Sequence, residues 1–147
     1  MSKGYTVQQD FEGTTEELFA SCADMLVATI KELYPNKSVY QTKLLNFKAE
    51  TAKGQFSVTK YDKDEGISYE ITRDGKADIT NLYWVQLPDN KSTLFYHEYG
   101  SANGFFGEMK MNLKLLLDRK SFDIKAKAVI GATMYHHKNR MEKKSSI

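Results

Sequence analysis

A chain of 147 residues, 41% apolar and 12% aromatic, carries enough apolar material for one buried core and does not have the composition of a disordered polymer. Its 21 basic and 19 acidic residues leave a formal net charge of +2, which gives no general case for nucleic-acid binding. The single cysteine rules out an internal disulfide, no apolar run reaches the length of a membrane span, and the N-terminus lacks the apolar stretch of a secretory signal, so the expectation is one cytoplasmic domain over residues 1–147.

Tyr5, Val7, Gln9 and Phe11 alternate with Thr6, Gln8, Asp10 and Glu12, the period of a strand. Gly13 ends it. Thr14 with Glu17 three residues later predicts a capping box, and Leu18, Cys22, Met25, Leu26, Thr29, Ile30 and Leu33 then form one helical stripe as far as Pro35-Asn36. Cys22 sits in that stripe, where a small buried side chain is the simpler reading than a nucleophile. Ser38 to Lys53 fits neither period, and a loop with a short strand near Lys43 to Lys48 is expected. From Gln55 the signals sharpen. Phe56 and Val58 alternate through Tyr61, Asp62 to Gly66 make a turn, and Ile67, Tyr69 and Ile71 form the next apolar face. Asp74-Gly75 is a tight hairpin signal, because a primed turn needs positive backbone angles. Ala77, Ile79, Tyr83, Val85 and Leu87 predict a long strand, Pro88 to Asn90 a turn, and Thr93 to Tyr99 a last strand. Short turns in succession favour antiparallel neighbours. Gly104-Phe105-Phe106-Gly107 reads as a hinge or lid, and the remainder, to about Lys143, is helical in composition. Asp118 to Asp123 is a polar break in it, so one kinked helix or two consecutive helices both fit. Lys138, Arg140, Lys143 and Lys144 suit the negative end of a helix dipole better than a nucleic-acid or membrane patch.

No phosphate loop, nucleophile elbow or nucleotide fingerprint appears. His136 and His137 are adjacent, so on a helix they diverge by about 100° and do not chelate one metal. No metal and no cofactor is expected. His97 and Glu98 alternate along the last strand, so only one faces inward. Glu98 shares a face with Leu94 and Tyr96. Its place near the strand end favours a solvated carboxylate, but on a concave face it becomes the best candidate for an acid or a polar anchor. Tyr69, Tyr83 and Tyr96 stand on three successive strands in apolar registers. Ordinary sheet packing and a cavity for an amphipathic ligand explain them equally well.

The opening strand into Thr14-Thr15-Glu16-Glu17-Leu18-Phe19, Tyr83-Trp84-Val85, Tyr96-His97-Glu98, and the later Asn112-Leu113 and Arg119 to Lys127 resemble the helix-grip or START-like superfamily, also called the polyketide cyclase and Bet v 1-like group. More narrowly they resemble an uncharacterised START-like family of Gram-positive bacteria. The resemblance implies an α+β fold in which a curved antiparallel sheet wraps a long C-terminal helix. It also implies a small apolar or amphipathic ligand, lipid-like or polyketide-like, between sheet and helix. Tyr69, Tyr83, Tyr96 and Glu98 would then supply polar contacts, and Ile71, Leu94, Phe105 and Phe106 would line or close the space. An enzyme using the same cavity, with Glu98 or His97 as acid or base, and a co-chaperone-like interaction module are the alternatives.

Overall fold

The computed structural model of the chain describes residues 4–51, 54–102 and 119–145. Phe105, Phe106, the hinge expected at Gly104–Gly107 and the helix expected before Arg119 lie outside the described residues.

Strand β1 (Tyr5–Glu12) leads into helix α1 (Thr15–Leu33). The capping box forms. Thr14 Oγ1 accepts from the Glu17 amide at 3.1 Å, and Glu17 Oε1 accepts from the Thr14 amide at 3.2 Å. The buried face of α1 comprises Leu18, Ser21, Cys22, Ala23, Met25, Leu26 and Ile30, whereas Leu33 at the last turn is exposed.

A single 3-10 turn (Gln41–Lys43) precedes β2 (Lys48–Thr51). The short strand expected near Lys43 therefore starts five residues later. Asn46 takes a left-handed backbone angle, φ 67°, and Phe47 closes a turn onto Leu44, so the chain cannot be extended before Lys48. Strands β3 (Gly54–Asp62), β4 (Gly66–Arg73), β5 (Lys76–Leu87) and β6 (Lys91–Ala102) follow as a meander. The sheet is antiparallel and six-stranded, in the order β1-β6-β5-β4-β3-β2. A register shift between Val58 and Lys60 bends β3.

The turns decide which side chains share a face. Asp74 and Gly75, with φ of 52° and 76°, close a two-residue loop that pairs Arg73 with Lys76. Counting back, Tyr69 lies opposite Thr80 and Ile67 opposite Leu82. The loop 88–90 pairs Leu87 with Lys91, so Thr80 meets Glu98, Leu82 meets Tyr96 and Trp84 meets Leu94. The concave face of β5 therefore carries Asp78, Thr80, Leu82 and Trp84. The residues expected to form its apolar face, from Ala77 to Leu87, point the other way.

Helix α2 (Arg119–Ser145) is continuous through Asp123 and Gly131, so the described part of the expected polar break is helical. Its buried positions Ala126, Ile130, Thr133 and His137 recur every three or four residues. The helix runs alongside β1. Asp123 accepts a hydrogen bond from the Tyr5 hydroxyl at one end, and His137 Nε2 bonds the Glu12 carbonyl at the other. Fourteen helical residues and seven strand residues both span about 20 Å, so the two elements keep step. His137 Nδ1 also bonds Ser21 Oγ at 2.7 Å, and Arg140 donates to Asp24 from Nε and Nη2, which ties α2 to α1. The core lies between the concave face and these two helices, from Phe11, Trp84 and Leu94 to Leu18, Leu26, Ala126 and Ile130.

Candidate functional site

A polar cluster interrupts that apolar interior. Its centre is Glu98, which is 1% exposed. The expectation of a solvated carboxylate near the strand end fails because β1 and β5 flank β6 there. Tyr5 lies opposite Glu98 on one side and Thr80 on the other, and α2 crosses above. Tyr96, two residues earlier on the same face, donates its hydroxyl to Glu98 Oε1 at 2.5 Å. Lys125 reaches down from α2 and bridges two carboxylates, Glu98 Oε2 at 3.2 Å and Asp78 Oδ2 at 3.3 Å. The Lys125 side chain is half exposed, so its ammonium stays within reach of water. Lys125 also sits over the Phe122 ring, 4.9 Å from its centroid.

Burial first, then the carboxyl of Asp78, pushes the Glu98 carboxyl up from 4.5 to about 7, against the opposing pull of Tyr96 and Lys125. Two carboxylates in one poorly solvated place cannot both ionise cheaply, so Asp78 favours the protonated form of Glu98 beside it. That proton answers a second observation. Asp78 Oδ1 is buried and has no other hydrogen-bond donor among the described residues. Burial, followed by the Glu98 charge, raises the Tyr69 hydroxyl above the usual phenol range, with Thr80 pulling the other way. Burial and the neighbouring Tyr69 raise Tyr96 likewise. Both tyrosines therefore remain neutral donors at any ordinary pH. Burial works against the Lys125 ammonium, but Glu98 and Asp78 together hold its pKa above the normal value.

Of the residues singled out from sequence, Tyr69, Tyr96, Glu98, Leu94 and Ile71 share the concave face. Leu94 lies deepest, fully buried and opposite Trp84, while Ile71 stands at the open edge, 40% exposed. Tyr83 does not join them. It stacks on Phe95 on the convex face, ring centroids 5.0 Å apart, and is 38% exposed. The hairpin register that puts Leu82 against Tyr96 forces Tyr83 outward. His97 is also convex, tilted against Tyr99 and 3.5 Å from the Asn81 amide, so it is removed as an acid or base for the interior. Asp78, Thr80 and Lys125 were missed. Asp78 and Thr80 were legible in principle, since a two-residue Asp74-Gly75 turn dictates that they face Tyr69 and its neighbours. Lys125 had no sequence signal, because its role depends on where α2 crosses the sheet.

Cys22 is fully buried, with Thr133 as its hydrogen-bond neighbour, and burial pushes its thiol up to about 12. A thiol held neutral in this way is not a nucleophile. Among the described residues no group of three histidine, cysteine or acidic side chains is placed to hold a metal. No described helix is long and apolar enough to cross a membrane.

No protein-family model matches the sequence, and no curated protein sequence matches it. Solved structures do match its shape. The Mll3558 protein from Rhizobium loti aligns with a TM-score of 0.53 at 13% identity, over 90% of this chain and 94% of that one. Ara h 8.0201 aligns with a TM-score of 0.52 at 13% identity, over 92% and 98%. The fold is the Bet v 1/START-like helix grip. A conserved protein from Geobacillus kaustophilus matches the same helix grip with a TM-score of 0.50 at 12% identity, over 94% of each chain. At such identities the helix-grip likeness concerns architecture alone, and function has to come from the site.

Proposed function

We propose that the protein binds a small apolar or amphipathic molecule, lipid-like or polyketide-like, between the concave face of the sheet and α2. The observation that carries this reading is Glu98, a carboxyl withdrawn from water on a wall shared with Ile67, Leu82 and Leu94. A buried carboxylate costs several kcal/mol unless it is paired, and apolar residues of similar size often stabilise a core better. Retaining a carboxyl, a second carboxyl, a lysine and two tyrosines at one place favours a polar anchor for a bound molecule. Tyr69, Tyr96 and Asp78 supply the polar contacts, Glu98 and Lys125 set their charge, and Ile71 borders the entrance.

An uncharged apolar dye such as N-phenylnaphthylamine tests this reading. The native protein should bind it, and Ile71→Glu should weaken binding by about tenfold while the circular dichroism spectrum is retained. Tyr83→Glu, on the opposite face, should leave binding unchanged. Equal binding by wild type and a folded Ile71→Glu variant would remove the reading in favour of an interaction module.

The raised Glu98 carboxyl beside Asp78 supports a second reading, general acid–base chemistry on the bound molecule, because a carboxyl titrating near neutrality is suited to both halves of a proton transfer. Under that reading Glu98→Gln would still bind but would not turn over.

A further inference from the structure

We infer that the polar end of the bound molecule is a cationic hydrogen-bond donor, a protonated amine or amidine, seated between Asp78 and Glu98. The inference rests on the binding reading above and narrows it to one ligand chemistry.

Two independent accounts lead there. The first is a count of donors. Glu98 Oε1 receives the Tyr96 hydroxyl, and Lys125 serves both Glu98 Oε2 and Asp78 Oδ2. The fourth oxygen, Asp78 Oδ1, is buried and receives no hydrogen bond from another described residue, with only the Glu98 carboxyl's proton beside it. A ligand N–H can take that proton's place, whereas a ligand carboxylate or phosphate would bring a further acceptor to a site whose one ammonium is already committed twice. The second is a count of charge. Among the described residues Asp78 and Glu98 face one cation, Lys125, so with both carboxyls ionised this group is one positive charge short of neutral. Tyr69 and Tyr96 stay uncharged. The adjacent Asp123 pairs with Tyr5 and with Lys127, the latter at 2.9 Å. A proton now supplies the missing charge, and an ammonium would replace it with a full ion pair. Access is uneven in a way that suits this exchange. The Asp78 side chain is 33% exposed, with its Oδ1 itself buried, and that of Glu98 is 1% exposed.

Replacement of a proton by a cation couples binding to pH. Glu98 titrates at about 7 in the free protein, so the amine must displace its proton at lower pH. The titratable and charged neighbours that face Glu98 among the described residues are Tyr5 on β1, Tyr69 on β4, Asp78 on β5, Tyr96 on β6 and Lys125 on α2, with the Asp123–Lys127 pair on the same helix.

The experiment displaces N-phenylnaphthylamine from the native protein with decylamine, decanol and sodium decanoate below their micelle concentrations. At pH 8 decylamine should displace the dye at concentrations at least about tenfold lower than decanol, with decanoate weakest. The advantage of decylamine should shrink by up to about tenfold per pH unit below 7. Calorimetry in buffers of different ionisation heat should detect proton release on amine binding at pH 6.5. Asp78→Asn should reduce the preference for amine over alcohol, read as the ratio of displacing concentrations, to within about threefold. Should that variant fail to fold, the wild-type pH profile and proton release decide alone. Equal displacement by all three compounds, or decanoate the tightest, overturns this inference and leaves the binding reading intact. Dye that never binds, with no heat from any of the three, overturns both.

Discussion

The two faces of the β5–β6 hairpin make an instructive pair. Leu82, Trp84, Leu94, Tyr96 and Glu98 on the concave side are all buried. Asn81, Tyr83, Val85, Phe95, His97 and Tyr99 on the convex side are half-buried or exposed. Both faces carry two or more large aromatic or aliphatic side chains, so apolar content does not distinguish inside from outside here. The difference lies in what covers each face. The helices remove water from one side, and a carboxyl and two phenols there acquire shifted protonation. The other side keeps water, and its aromatic residues merely stack.

The largest expected effect is on stability. Leu82→Ala should cost about 3 kcal/mol in urea unfolding, because it leaves a cavity beneath α1, whereas Tyr83→Ala next to it should cost about 1 kcal/mol, mostly the lost stack on Phe95. Comparable costs would erase the distinction between the faces. Lys125→Met is the next probe. It strips the buried Glu98 carboxylate of its counter-charge, and the loss should be about 2 kcal/mol at pH 8 and close to zero at pH 5, where Glu98 is protonated, allowing for the half-exposed ammonium.

The two faces should also differ in the sign of their pH dependence. Glu98 has a raised pKa in the folded protein, so its contribution is fully present below 4.5 and is lost as pH rises through about 7. Glu98→Gln should remove a fall in stability of up to about 3 kcal/mol across that window. His97, on the convex face, is lowered by burial, so its contribution is present at neutral pH and lost as pH falls. His97→Gln should therefore remove a slope of the opposite sign. Parallel slopes in the two variants would contradict the assignment of faces. The smallest effect concerns the floor of the core. Cys22 should react slowly with thiol reagents in the native state, and Cys22→Ala should cost roughly 1 kcal/mol without affecting dye binding. Rapid stoichiometric labelling would show that the space between α1 and α2 is open.

Much of the fold was legible because its signals are local. The capping box at Thr14 and Glu17, the Asp74-Gly75 turn and the alternation of β1, β4 and β6 each depend on neighbours a few residues apart. The site was legible only in part. Tyr69, Tyr96 and Glu98 follow from alternation, and Glu98 was underrated because nearness to a strand end says nothing of what flanks the strand. Tyr83 was misassigned by reading β5 through its more numerous odd-numbered apolar residues. The length of the Asp74-Gly75 turn contradicts that reading, since side chains alternate strictly and a two-residue loop fixes the parity of both strands.

By itself the sequence determined the order of elements, the antiparallel meander, the capped first helix and a terminal helix with a buried stripe, because backbone preferences and periodicity act within a turn or two of the chain. Only the tertiary structure decided that Asp78, Glu98 and Lys125 meet. Lys125 stands 27 positions from Glu98 and 47 from Asp78. Their encounter depends on α2 lying in step with β1 across the concave face. Charge interactions of that kind carry no local pattern, since they follow from distance and from the exclusion of water, and both are properties of the packed molecule alone.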